Sequence, residues 1–189
     1  MPAATNGRDG GTGREPNGEM SACARCALRC GTCCTLRPGD EEFCFPLSHA
    51  ERKRMKAAGA QARHFVRQDN TQAFVGNIKR LFPDEGAAVE QLFPPASAHD
   101  RLATLPDGAC ALLGPAGCTL PREARPLYCR LFPFWIRAGR ERYFELDFCE
   151  AQREASGGAG LKKRLGMTSA DILQLYHELR TAWGLPERT

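Results

Sequence analysis

The sequence predicts one mainly α-helical domain with a small β element and a cysteine-rich centre. Three observations lead there. Apolar residues recur at helical spacing through 49–82 and again through 169–183. Only 142–148 alternates apolar and polar residues convincingly, as a strand does. Five of the ten cysteines fall within Cys23–Cys34, Cys44 follows, and the other four, Cys110, Cys118, Cys129 and Cys149, lie in a second region at 110–149. A length of 189 residues with 42% hydrophobic and 25% charged residues suits one globular domain.

Taken in order, residues 1–20 are rich in Gly, Asn, Asp and Pro and are expected to be disordered. A domain of 21–155 follows, and 156–189 is expected to be a linker with a supporting helix packed on the same domain. Ser48 and Glu51 form a capping box that opens a helix expected to reach about Val66, with Met55, Ala58, Ala62 and Phe65 on its apolar face. A second helix is expected from about Thr71 to Phe82, stopped by Pro83, and a short third from Ala87 to Phe93 before Pro94-Pro95. Gly114-Pro115-Ala116-Gly117 predicts a tight hairpin with Cys110 and Cys118 on its arms, and Pro126–Arg130 a single helical turn presenting Cys129. The strand at 142–148 ends at Cys149. After a glycine-rich break at 157–160, Ser169 begins a last helix with Ile172, Leu173, Tyr176, Leu179 and Trp183 on one face.

The stretch C-A-R-C-A-L-R-C-G-T-C-C, with thiols at Cys23, Cys26, Cys30, Cys33 and Cys34, is either a disulfide knot or a ligand set. Gaps of two and three residues let one turn of chain bring sulfurs to one metal ion or iron–sulfur cluster. Residues 1–20 lack the apolar core of a signal peptide, and no later run approaches a membrane span. The expected location is therefore the reducing cytoplasm, where structural disulfides rarely persist, and a bound metal is the expected use of the thiols. Cys33 and Cys34 are adjacent, so one thiol per centre is the easier arrangement: two centres, or a ligand beside a non-ligand. A net charge of +4, from 26 basic and 22 acidic residues, calls for no nucleic-acid partner.

Cys26, Cys30, Cys33 and Cys34 before the Leu47-Ser48…Glu51 helix start resemble one half of a known pattern. Cys110, Gly117-Cys118, Arg125-Pro126, Cys129-Arg130, Phe132-Pro133-Phe134 and Cys149 resemble the other. Together, over roughly 23–150, they resemble the bacterial and archaeal cysteine-cluster family named for a CxxCxxCC signature, described as zinc- or iron-chelating. Here the first gap is three residues, and Cys23 and Cys44 are additional, so Cys23 and Cys26 both stand for the first ligand position. The resemblance implies ligands from Cys30, Cys33, Cys34, Cys110, Cys118, Cys129, Cys149 and one of Cys23 or Cys26, as two four-thiolate centres or one cluster with structural thiols.

Arg25, Arg29, Arg125, Arg130 and Arg137 lie close to thiols in sequence, where they compensate anionic thiolates. Arg125 and Arg130 are expected to hydrogen-bond cluster sulfur, ligand thiolates or nearby carbonyls. Phe132, Phe134, Trp135, Tyr143, Phe144 and Phe148 are expected to wall the metal from water. Dense thiols, Pro133 soon after Cys129, and these aromatics favour an iron–sulfur cluster, with one or two zinc ions as the alternative. An electron-transfer or redox-sensing protein is the first functional expectation and a zinc-stabilised interaction module gripping a partner protein the second. A component of a methyltransferase-like enzyme is the third, because a relative of the domain occurs in flagellin lysine methylases. No residue stands out as catalytic. Cys26-x3-Cys30-x2-Cys33 also has radical S-adenosylmethionine spacing, but about 155 remaining residues are too few for a barrel of about 250.

Overall fold

The computed structural model describes residues 20–29 and 32–186. Cys30, Gly31 and the expected disordered stretch up to Glu19 lie outside them. Helix dominates, joined by small antiparallel strand pairs.

The chain enters through α1 (Ala22–Ala27), capped by Ser21, whose hydroxyl accepts the Ala24 N–H at 3.2 Å. Helix α2 (His49–Ala57) opens on the expected capping box. Ser48 Oγ accepts the Glu51 N–H at 3.2 Å and Glu51 Oε2 accepts the Ser48 N–H at 2.8 Å.

This helix stops at Ala57, nine residues before the expected end. Gly59 takes φ +101°, its N–H donates to Lys56 O, and the Ala60 N–H donates back to Met55 O at 3.0 Å. That is a Schellman closure, sealed by burial of Met55 and Ala60 together. Ala62 and Phe65 therefore leave the helix, and Phe65–Asp69 becomes β1.

Thr71 caps α3 (Gln72–Leu81), which buries Phe74 and Ile78 and ends before Pro83. Helix α4 (Gly86–Leu92) buries Val89. Both match the expected spans. Strand β2 (Ala98–Leu102) pairs antiparallel with β1, Phe65 opposite Leu102 and Asp69 opposite Ala98. The hairpin at 114–117 forms as β3 (Leu113–Gly114) and β4 (Gly117–Cys118). Cys118 sits on its second arm, while Cys110 precedes the first and bridges to Thr104.

Pro126 leads into α5 (Leu127–Leu131), and β5 (Phe134–Arg137) returns through an exposed turn as β6 (Arg140–Tyr143). The alternating stretch therefore pairs only as far as Tyr143. Residues 144–147 lie outside the ladder, held by the Gln152 side chain, which bonds Phe144 O at 2.8 Å and the Leu146 N–H at 3.0 Å.

Helix α6 (Glu150–Arg153) precedes α7 (Gly157–Arg164), which occupies the stretch expected to be a glycine-rich break. Leu161, 1% exposed, anchors it, so burial outweighs the helix cost of its glycines. In α8 (Ser169–Trp183) the apolar face holds Ile172, Leu175, Tyr176, Leu179 and Trp183; Leu173 points outward.

Two apolar clusters form the core. The larger joins α3, α4, α5, β5, α7 and α8 around Phe74, Phe82, Phe134 and Leu179. The smaller joins Leu47, Met55, Ala60, Leu112, Leu120 and Ala124. Cys149 packs against the first and Cys110 and Cys118 against the second.

Candidate metal centre

The two cysteine regions meet through their backbones. The Cys110 N–H donates to Cys34 O at 2.8 Å, the Leu36 N–H donates to Gly108 O at 2.9 Å, and Thr35 bridges Ala109. Gly108 holds φ +83°, and a Cβ there would stand 1.8 Å from Leu36 O. Only glycine permits this approach.

Cys129 is presented by α5, whose Leu127 and Leu131 face the core. The start of that helix is fixed by Glu51, 1% exposed, whose Oε1 accepts the Leu127 N–H at 2.8 Å. Arg54 reinforces the junction by donating to Arg125 O at 3.1 Å. The capping box pointed to Glu51 as a helix cap. Its second oxygen, which places the Cys129 turn, has no signature in the sequence.

Cys23 and Cys26 stand three apart on α1, hence on one face, near Cys149 at the N-terminus of α6. The backbone acts against burial at three of the described thiols: that of Leu112 lowers Cys110, that of Leu120 lowers Cys118, and that of Glu150 lowers Cys26. Such an influence stabilises thiolate and tunes metal–sulfur centres.

Burial is the main force on the other side. It raises Cys23, which Cys149 and Cys26 raise further. It raises Cys26, Cys44 and Cys118, and lifts Cys110 to about 12. Burial also holds Cys129 well up, with Cys34, Cys110 and Cys118 adding to it. Cys129 is open to a cavity yet surrounded by protein, which reconciles its accessible surface with this shift. Cys33 and Cys34 act on each other: their mutual interaction raises Cys33 and lowers Cys34, with burial adding to the first shift and the Arg125 charge to the second.

Arg125 sits against the centre: its Nε donates to Leu120 O at 2.9 Å and its guanidinium reaches Cys118 O. Arg122, which sequence reasoning passed over, lies by Cys23 and lowers its pKa. Arg130 has no described bond to a thiol; its charge is felt by Arg122. Arg25 and Arg29 turn to carboxylates, Glu154 at 2.5 Å and Glu150 at 3.3 Å. His49 is exposed at the start of α2. Phe132, Trp135, Tyr143, Phe144 and Phe148 line the cavity that Cys33, Cys34, Cys44, Cys110 and Cys129 border, whereas Phe134 lies on the opposite face in the core.

Several desolvated thiols within electrostatic reach of one another suit a cation that would replace their protons. The donor set fits a thiolate-bound metal. The geometry is not closed: among the described residues, no three Cys, His, Asp or Glu side chains stand grouped as a metal-holding set. Among the described residues no helix is long and apolar enough to cross a membrane.

No curated protein and no solved structure shows significant similarity to the chain. A family model does match residues 22–150, the span that carries every cysteine discussed here. The chain belongs to the CxxCxxCC family, described as "Putative zinc- or iron-chelating domain".

Proposed function

We propose that the protein binds an iron–sulfur cluster through these thiols and serves electron transfer or redox sensing in the cytoplasm, with a redox protein as partner. The observation that carries the reading is the backbone pairing that brings the two cysteine regions together, the Cys110 N–H donating to Cys34 O at 2.8 Å and the Leu36 N–H to Gly108 O at 2.9 Å, with nearby backbone lowering Cys26, Cys110 and Cys118. A bound cluster would supply one-electron exchange. The chain's own part is to hold the thiolates, offset their charge with Arg125 and Arg122, and keep water from the sulfurs with Trp135 and Phe144.

The neighbours of each thiol suggest two sets. Cys33 feels Cys34, Cys23 and Cys26, and Cys129 feels Cys34, Cys110 and Cys118, so Cys34 borders both groups, acting on Cys23 and Cys26 as well. Cys23, Cys26, Cys33 and Cys149 would form one four-thiolate set, with Cys30 as a further candidate. Cys34, Cys110, Cys118 and Cys129 would form the other. The adjacent pair at 33–34 then gives one thiol to each.

A zinc-stabilised interaction module is the second reading, favoured by the exposed basic turn of Arg137, Arg140 and Arg142. Anaerobic purification followed by iron, zinc and acid-labile sulfide analysis on one sample separates the two. About four irons with matching sulfide per cluster and no zinc is expected. Stoichiometric zinc without sulfide overturns the cluster and leaves the zinc module.

A further inference from the structure

Beside the thiols lies a cavity of about 810 Å³, in the upper range of small-molecule sites and far larger than a metal ion needs. Its walls are largely apolar: Leu47, Ile78, Leu81, Phe132, Trp135 and Phe144. Phe43 and Phe148 also border it while 53% and 46% exposed, so apolar surface continues out to solvent.

Three arginines border the same cavity from exposed positions: Arg80, Arg137 and Arg142. Arg142 is paired directly across from Trp135, and Arg137 lies two residues along the strand, so all three side chains share one hairpin face. Arg80 donates to Asn77, and among the described residues no carboxylate forms an ion pair with Arg137 or Arg142. Among the described residues, Glu42 is the one acidic side chain on the lining, and it accepts a hydrogen bond from Thr71 Oγ1 at 2.7 Å.

We infer that this cavity binds a small amphiphilic anion, with its aliphatic or aromatic body along the Trp135 wall and a single carboxylate-type head on Arg137 and Arg142. The apolar lining selects the body. The guanidiniums, charged at every physiological pH and shaped for two-point contact with a carboxylate, select the head. The inference goes beyond metal binding and does not depend on which metal is held.

The test uses the full chain with its metal in place. 1-Anilinonaphthalene-8-sulfonate, an aromatic body with one anionic head, is titrated by fluorescence, and decanoate and decanol compete against it. One saturable probe per chain is expected, displaced by decanoate at least tenfold better than by decanol. In R137Q/R142Q, circular dichroism and metal content should be unchanged and decanoate affinity should fall about tenfold. Equal competition by decanol, an unaffected double variant or no saturable binding overturns the inference. So does occupancy by a second copy of the chain, seen as self-association in sedimentation without displacement by decanoate. Metal content measured on the same sample keeps this result separate from the cluster proposal.

Discussion

His99 is a buried titratable side chain away from the thiols. Its ring stacks on Phe74 at 3.8 Å between centroids, and Nδ1 lies 2.8 Å from Asn70 Oδ1. Asn70 donates its amide to Pro94 O at 3.1 Å, which turns Oδ1 toward the ring and makes Nδ1 the protonated nitrogen. Nε2 is buried with no partner among the described residues. Burial lowers this histidine to about 4, with Arg101 and Arg67 adding to the shift and Asp100 opposing it. The folded state therefore prefers neutral imidazole, while the unfolded chain protonates near pH 6.5. The associated stability is complete above pH 6.5 and is lost as pH falls toward 4. Between pH 7 and pH 5 the loss should be about 2 kcal/mol. Urea unfolding at both values, on wild type and His99→Gln, checks it: the variant should lack that part of the pH dependence, and equal slopes would refute the assignment.

At the scale of elements, the backbone stitch between 34–36 and 108–110 joins two cysteine regions more than seventy residues apart. Its weak point is Gly108. Alanine there adds a left-handed backbone penalty of about 1–2 kcal/mol to a clash with a carbonyl that cannot move without breaking the Leu36 bond. Gly108→Ala should lower stability by at least about 2 kcal/mol and reduce metal content. Gly139→Ala, also at positive φ but with open space around its Cβ, should keep its metal. Equal metal retention in both variants would show that the stitch does not organise the centre.

The elements also show what was legible in the sequence. Ser48 with Glu51 announced α2, and Thr71 with Pro83 bounded α3, because caps and prolines act locally. The end of α2 was written at Gly59, but helical periodicity through Phe65 masked it, and the partner of β1 lies thirty residues onward. Helix α7 was missed because Leu161 is set by tertiary burial, which glycine propensity does not report. The cysteines were legible by position and spacing. Their surroundings were not: Glu51 reaching Leu127, Arg122 beside Cys23, and the cavity all arise from contacts distant in the chain.

At the scale of the whole molecule, Cys149 packs against a large apolar cluster and Cys110 and Cys118 against a small one. Six buried residues are a slender core, so the smaller cluster should lean on the metal. Hydrogen exchange on metal-loaded and chelator-treated protein should show the 47–69 and 98–124 segments losing protection by tenfold or more, with α8 amides staying protected. Uniform loss across both clusters would mean that the chain unfolds as one cooperative unit, and no loss would mean that the metal is not structural.

The influence of Leu112, Leu120 and Glu150 on the thiols comes from the main chain, and this changes what mutation can report. Exchanging any of the three side chains leaves the backbone group where it is, so alanine scanning would mistake these positions for packing residues or a surface ion pair. Inheritance faces the same rule. The amides tolerate any residue that preserves the local path and forbid only proline, which has no N–H to give. The polarity around the sulfurs is thus carried by chain geometry and can persist while the letters at those positions drift.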